Sequence, residues 1–328
     1  MTHTPVLLKE VITVLDPKPG EFFIDGTVGG GGHTLEILKK IGPKGKLLGI
    51  DWDEEAIKNF KFSPCGESPE GRQISSFKNV ILLNDSYANL PKILEAMPAG
   101  RQGNKLGMAD GLLLDLGMSS DQLECSGRGF SFMRDEPLDM RYRVALTDAN
   151  RAAEPASDQY ESASLTAAEI ISSFNEKELA DIFFQYGDER FSRRIAQKII
   201  EERKKQRILT TFGLVDVIKK AVPKNYERGR IHPATRVFQA LRIYVNQELE
   251  NLENLLKNID KILKPKGRIA IISFHSLEDR LVKNYFREKA KEKKIEILTK
   301  KPISPTIEEA GQNPRSRSAK LRAAIVSH

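Results

Sequence analysis

Cysteine is scarce here: the chain has two in 328 residues, Cys65 and Cys125. They lie in unrelated contexts, which excludes a disulfide framework and a cysteine zinc site and points to a reducing cytoplasmic setting. No ligand cluster calls for a metal, and none is expected. No apolar run reaches the roughly 20 residues of a membrane span, and the start, His3-Thr-Pro-Val-Leu-Leu-Lys-Glu, has no signal-peptide pattern. No membrane contact is therefore expected. No Gly-Lys-Ser/Thr follows the main glycine cluster, which excludes a P-loop.

What is present suffices for a large core: 40% of residues are hydrophobic and 30% charged. That suggests one big domain or two smaller ones. The net charge is +7, and it is localised. Residues 281–328 hold 12 Lys/Arg and 5 Glu, while the first 280 residues balance at 40 against 40. A basic C-terminal segment on a neutral body fits a nucleic-acid footprint. It also fits a solvated charged helix with a tail, and charge alone leaves both open.

The most informative stretch is Phe22-Phe-Ile-Asp-Gly-Thr-Val-Gly-Gly-Gly-Gly-His-Thr34. It reads as a buried strand, a glycine loop and the start of a helix. The next strand, Lys46-Leu-Leu-Gly-Ile-Asp51, ends on an acid. This layout binds the adenosine end of a cofactor. A dinucleotide fingerprint does not fit, because Gly29 and Gly31 require a glycine at position 34, which is Thr34. The pattern suits S-adenosylmethionine better, since that cofactor carries no phosphate. Asp51 then accepts the two ribose hydroxyls.

Further strands are expected at 79–85, 111–117, 268–275, 295–298 and 321–326, with helices at 6–15, 34–40 and 87–97. Alternating strands and helices, the strands continuously apolar, imply a parallel sheet covered on both faces. The alternation stops after 140. A polar loop at 144–165 precedes helices whose starts are marked by Thr166-x-x-Glu169 and Asn175-x-x-Glu178. A long helix is expected from Asp188, another capped by Thr211 and ending at Pro223, and one from Arg236 to Leu263. The expected organisation is a first sheet-bearing part at 1–140, a helical insertion for substrate recognition at 141–232, and a second sheet-bearing part at 233–328 with a basic tail. Loops are expected at 63–77 and 98–110.

Strand ends gather ligands at one edge of such a sheet. Gly31, Gly32 and His33 supply close backbone, Asp51 holds the ribose, and Tyr87 offers an aromatic face to the adenine. Asp115-Leu-Gly-Met-Ser-Ser-Asp-Gln122 follows strand four, beside the sulfonium. Asp115, with Ser119 and Ser120, has the chemistry to accept hydrogen bonds from an exocyclic amine. His275, after strand five, is a candidate substrate contact. Arginines interleave with aromatics around Arg134 and Arg141, and His232-Pro-Ala-Thr-Arg236 is similar. Such mixtures suit unstacked RNA. Arg315, Arg317 and Lys320 add phosphate-binding capacity.

Several long segments resemble the ribosomal RNA small subunit methyltransferase H family, also called the MraW family. They are His3-Thr-Pro-Val-Leu-Leu, Asp25-Gly-Thr-Val-Gly-Gly-Gly-Gly-His33, Leu114-Asp-Leu-Gly-Met-Ser-Ser-Asp-Gln122 and Arg128-Gly-Phe-Ser-Phe-Met-Arg-Asp. Leu138-Asp-Met-Arg141, His232-Pro-Ala-Thr-Arg-Val-Phe-Gln-Ala, Ser273-Phe-His-Ser-Leu-Glu-Asp-Arg280 and Asn313-Pro-Arg-Ser-Arg-Ser follow in order. The resemblance implies an α/β class I S-adenosylmethionine-dependent methyltransferase. Its Rossmann-like, mostly parallel seven-stranded sheet is interrupted by an all-helical insertion. The implied reaction is methylation of N4 of a cytidine in the decoding region of 16S rRNA. The implied cofactor contacts are Gly31, Gly32, His33, Asp51, Tyr87, Asp115 and Gln122. Tyr87 stands where the family often has Phe. The implied partner is 16S rRNA, within the small ribosomal subunit or a late precursor, with a homodimer as a candidate assembly.

Two other readings stand beside this one. A noncatalytic RNA-binding assembly factor would not need Asp51 and Asp115 intact. A DNA amino-methyltransferase usually carries Asp/Asn-Pro-Pro-Tyr/Phe after strand four, where this chain has Asp115-Leu-Gly-Met.

Overall fold

The computed structural model describes residues 5–62, 79–96, 106–118, 126–142, 165–224, 226 and 231–327. Ser119, Ser120 and Gln122 lie outside the described residues, as do most of the loops expected at 63–77, 98–110 and 144–165. The chain divides into two compact units: residues 1–119 with 249–328, and residues 120–248. The second takes in residues on both sides of the 141–232 stretch expected to form the insertion.

The first unit is built on seven strands. They are β1 (Phe22–Asp25), β2 (Lys46–Asp51), β3 (Val80–Asn84), β4 (Ala109–Asp115), β5 (Leu263–Ser273), β6 (Ile295–Ile297) and β7 (Lys320–Val326). Their order is β3-β2-β1-β4-β5-β7-β6. The first five are parallel, and β7 runs antiparallel to both β5 and β6. The strand order reverses between β1 and β4, which run parallel side by side, and this is the crevice where open sheets bind ligands.

The continuous apolar runs follow from burial on both faces. Ile24, Ile50, Leu112, Leu114 and Ile271 join one core, with helix residues Leu252, Leu255, Val282 and Phe286. Phe23, Leu47, Leu113 and Ile272 point the other way. They meet Val11 and Leu15 of α1 (Leu8–Leu15) and Ile37, Leu38 and Ile41 of α2 (Gly32–Ile41). A helix the sequence reading did not place, α3 (Glu54–Phe62), follows β2 and opens on two acids, Glu54 and Glu55. After β3, a single 3-10 turn precedes α4 (Leu90–Ala96), so the helix expected at 87–97 starts later.

The second unit holds α5 (Ala167–Ser173), α6 (Glu176–Gly187), α7 (Ser192–Arg203), α8 (Thr211–Ala221) and α9 (Thr235–Asn246). Both expected capping boxes form, at Thr166 with Glu169 and at Asn175 with Glu178. Three expectations need correction. Asp188 does not start a helix; it ends α6 in a left-handed conformation at φ 48°. Asp tolerates that conformation, so the same residue marks either helix end. The cap of α8 is Thr210, whose side chain accepts the Gly213 N–H at 3.3 Å. The helix expected from Arg236 to Leu263 is three pieces: α9, α10 (Glu248–Lys257) and α11 (Ile259–Ile262), broken first at left-handed Gln247.

The first unit continues with α12 (Ser276–Lys291) and α13 (Ile307–Gln312). The basic C-terminus is not a tail. It enters the sheet as β7, between β5 and β6. Arg322 on β7 is buried and donates to Asp279 of α12 at 2.7 Å. Burial pushes the Asp279 carboxyl up, but the hydrogen bond and charge of Arg322, with the charge of Lys320, outweigh it and hold it below the ordinary range.

Candidate active site

The glycine loop hangs from β1 by backbone hydrogen bonds to its neighbours. Gly26 N–H donates to Leu113 O on β4 at 2.9 Å, and Val28 N–H to Ile50 O on β2 at 3.0 Å. A Cβ on Gly26 would stand 2.5 Å from a Leu114 methyl and 3.1 Å from the Tyr87 Cβ, so a side chain there would require Leu114 to shift. Gly31 begins α2 at φ 75° with no side-chain cap. A Cβ there would run into the Phe60 ring of α3. Part of what makes Gly31 a glycine is therefore packing. A Cβ on Gly32 would meet Pro5 at 2.8 Å.

Asp51 closes β2 beside this loop. Its Oδ2 accepts the Gly29 N–H at 2.7 Å, and its Oδ1 accepts the Asp53 N–H at 2.9 Å. Burial raises its carboxyl to about 6, against the pull of these two backbone N–H groups. Tyr87, buried after β3, meets Trp52 edge-on at 6.3 Å between ring centroids.

Two residues the sequence reading did not single out hold the base of the site. Asp25, wholly buried, accepts the Thr34 hydroxyl at 2.6 Å and the Thr27 N–H at 3.1 Å. Burial raises its carboxyl, while the Thr34 hydrogen bond and the His33 charge oppose that rise. Thr27 Oγ1 in turn accepts the Asp115 N–H at 2.6 Å, which fastens the loop to the end of β4. The signal was in the sequence: Asp25-Gly-Thr27 sits at a strand end, where a buried acid needs donors.

His33 lies between these acids. Its Nε2 is 2.9 Å from Val6 O, and its Nδ1 is 3.7 Å from Asp115 Oδ2. Burial lowers its imidazole below the ordinary value, against the raising charge of Asp25. A neutral ring whose Nε2–H donates to Val6 O leaves a lone pair at Nδ1, turned towards Asp115. Asp115 Oδ1 accepts the Gly117 N–H at 3.1 Å.

His275 lies between β5 and α12. It caps α12: its ring accepts the Glu278 N–H at 3.4 Å, and Glu278 accepts the Phe274 N–H at 2.8 Å. Its Nε2 lies 3.0 Å from Glu278 Oε1 but is not aligned for a hydrogen bond.

These groups fit S-adenosylmethionine: an acid for a ribose diol, an aromatic ring, and an uncapped helix N-terminus suited to a carboxylate. The sequence profile of the MraW methylase family matches residues 1–326. This chain belongs to the MraW methylase family. It is 44% identical over 327 residues to the ribosomal RNA small subunit methyltransferase H of Kosmotoga olearia, covering 98% of this chain and 97% of that protein. The protein of the same name from Syntrophotalea carbinolica is 41% identical over 337 residues, covering 98% and 96%.

The arginine-rich segments of this MraW methylase divide between the units. In the second unit, Arg134 is exposed, and its carbonyl accepts the Thr211 hydroxyl at 2.6 Å. Arg141 grips Asp139 with two hydrogen bonds at 2.6 and 2.8 Å, and that partner raises its guanidinium further. Arg236 donates to Asp188 O at 2.8 Å. In the first unit, Arg317 is exposed on the 3-10 turn before β7 and donates to Ala310 O at 3.3 Å. Arg315 is half-buried, and Lys320 lies 3.5 Å from Asp279.

Proposed function

We propose that this chain transfers a methyl group from S-adenosylmethionine to N4 of a cytidine in the decoding region of 16S rRNA. The observation that carries the reading is the placing of Asp51 and Asp115 at the carboxyl ends of β2 and β4, on either side of the β1 glycine loop. The names of the full-length relatives supply the substrate class.

Asp51 accepts from the ribose, Tyr87 lies along the adenine, and the Gly31–His33 turn receives the amino-acid end, with Gln122 as a further contact. When bound, S-adenosylmethionine supplies a methyl group activated by its sulfonium. The cytosine amine is a poor nucleophile because its lone pair is delocalised into the ring. The site must therefore hold that nitrogen in line with the S–CH3 bond. Asp115, assisted by Ser119 and Ser120, accepts from the amine N–H and takes up the proton as the N–C bond forms and the C–S bond breaks. A proton on Asp115 Oδ2 then faces the Nδ1 lone pair of His33 at 3.7 Å. His275, which caps the start of α12, is a further substrate contact in this reading.

Arg134, Arg141, Arg236, Arg315, Arg317 and Lys320 contact the RNA in this reading, and residues 141–232 serve substrate recognition. The substrate is 16S rRNA in the small ribosomal subunit or a late precursor, and the setting is cytoplasmic. Among the described residues, no helix is long and apolar enough to cross a membrane. A homodimer is the proposed assembly, tested by light scattering.

The test is mass spectrometry of nucleosides from small-subunit RNA incubated with the protein and labelled S-adenosylmethionine. Labelled N4-methylcytidine is the expected product. Label on another nucleoside, or none on either naked RNA or unmethylated subunits, overturns the reading.

A further inference from the structure

The helical unit is nearly neutral, with 21 Lys/Arg and 20 Asp/Glu over 120–248, but its charge is segregated. Residues 190–224 hold eleven Lys/Arg against three Asp/Glu, and the rest of the unit holds ten against seventeen. This stretch is α7, α8 and their flanks. The apolar residues Ile195, Ile199, Leu214 and Ile218 turn inward, which leaves the cations outside.

Local pairing does not cancel that charge. Glu202 is surrounded by Lys205 at 2.9 Å, Lys198 at 3.2 Å and Lys220 at 3.7 Å, and Glu201 meets Lys198 at 2.9 Å. Two acids thus serve three lysines. Hydrogen bonds from Lys205 and Lys198 hold the Glu202 carboxyl down at about 2, so it stays ionised. Arg193, Arg194 and Lys219 are exposed and make no ion pair among the described residues. Arg190 lies over the Tyr226 ring at 4.9 Å to the centroid. A shallow groove between the two helices is lined by Arg194, Gln197, Lys198, Glu201, Lys220 and Ala221, three cations to one acid.

Lys219 also links this ridge to the aromatic segment at His232. Burial lowers the His232 imidazole, and the Lys219 charge lowers it further. The His232 ring stacks on Phe132 at 4.6 Å. Cations beside a half-exposed stacked pair suit a polyanion with aromatic bases.

We infer that the α7–α8 ridge, centred on Arg193, Arg194 and Lys219, is a second RNA-binding surface that holds the phosphate backbone of the substrate. The proposal rests on the reading of this chain as an rRNA methyltransferase. Its cations are solvated point charges with no fixed base-reading geometry, so they contribute affinity rather than sequence choice. Segregating them on one face gives a field that the neutral unit as a whole would lack.

The test compares the full chain with Arg193→Gln/Arg194→Gln/Lys219→Gln. Binding is measured on naked 16S rRNA and on intact small subunits across a salt series. Removing three phosphate contacts is expected to weaken naked-RNA binding about tenfold or more near 0.1 M salt and to flatten the log–log salt slope by about 2 to 3. S-adenosylmethionine affinity, read by calorimetry, should be unchanged, which separates this surface from the reaction site. Arg193→Lys/Arg194→Lys should keep most of the slope, because charge alone is required. Unaltered affinity and slope on naked RNA overturn the proposal. Loss confined to the assembled subunit also overturns it, because the ridge then faces an acidic protein.

Discussion

The Asp51 carboxylate accepts the Gly29 N–H at 2.7 Å, which ties the end of β2 to the glycine loop of β1. Asp51 therefore shapes the loop, in addition to its proposed role at the ribose. Asp51→Ala is expected to weaken S-adenosylmethionine binding by about 1–3 kcal/mol, the scale of lost charge-assisted hydrogen bonds. Unchanged affinity in calorimetry removes Asp51 from the ribose site.

The same residue sets a pH dependence. Burial raises its carboxyl to about 6 from 3.8, so it gains a proton as pH falls through about 6 and accepts fewer hydroxyl hydrogen bonds. Cofactor affinity should fall between pH 7 and pH 5.5, and Asp51→Asn should flatten that profile. The stability effect has the opposite sign. A raised folded-state value favours folding below the unfolded value, and that gain is lost as pH rises through about 6.

Gly31 carries two constraints, a left-handed φ of 75° and the Phe60 ring where a Cβ would sit. Gly31→Ala is expected to destabilise the fold by about 1–3 kcal/mol, the range for overpacking. In a double-mutant cycle by urea unfolding, Phe60→Leu should recover part of that loss. Strict additivity would show that the ring is not what confines this position.

Asp115 is the acid nearest His33 Nδ1, at 3.7 Å, and its backbone is pinned by Thr27. Asp115→Asn keeps the shape but not the proton acceptor. Turnover should fall by about 10²-fold or more, the scale of general-base catalysis, with the fold intact by circular dichroism. Near-normal single-turnover rates would move the chemistry elsewhere.

Arg322 and Asp279 form a buried pair between β7 and α12. Asp279→Ala leaves the guanidinium buried without its carboxylate and should cost about 3–5 kcal/mol in urea unfolding. A loss below 1 kcal/mol would mean that water reaches Arg322.

Because β7 is an interior strand, deleting the chain from Gln312 removes part of the sheet and cannot report on RNA binding alone. Arg315→Gln/Arg317→Gln is the cleaner probe. It should lower the salt slope of RNA binding by about 1 to 2 while leaving the melting temperature within a few degrees. An unaltered slope removes Arg315 and Arg317 from the RNA contacts.

Much of the sheet was legible because its signals are local. Phe22–Asp25 and Lys46–Asp51 are apolar runs bounded by turn residues, and both form strands at those places. Asp51 was legible as a candidate site residue because a strand end followed by a helix leaves a carboxylate at the ligand edge. The amino-acid sequence by itself determined the strand runs, the capping boxes at Thr166 and Asn175, and the acids at the ends of β2 and β4. Tertiary structure decided what depends on neighbours distant in sequence. Periodicity carries through Gln247, but the chain turns there in a left-handed residue. A charge count made 281–328 a basic C-terminal segment ending in a tail, although buried Arg322 has its partner on another element. Asp25, Thr27 and Phe60 acquire their roles only through Thr34, Asp115 and Gly31, because burial turns those contacts from optional into required.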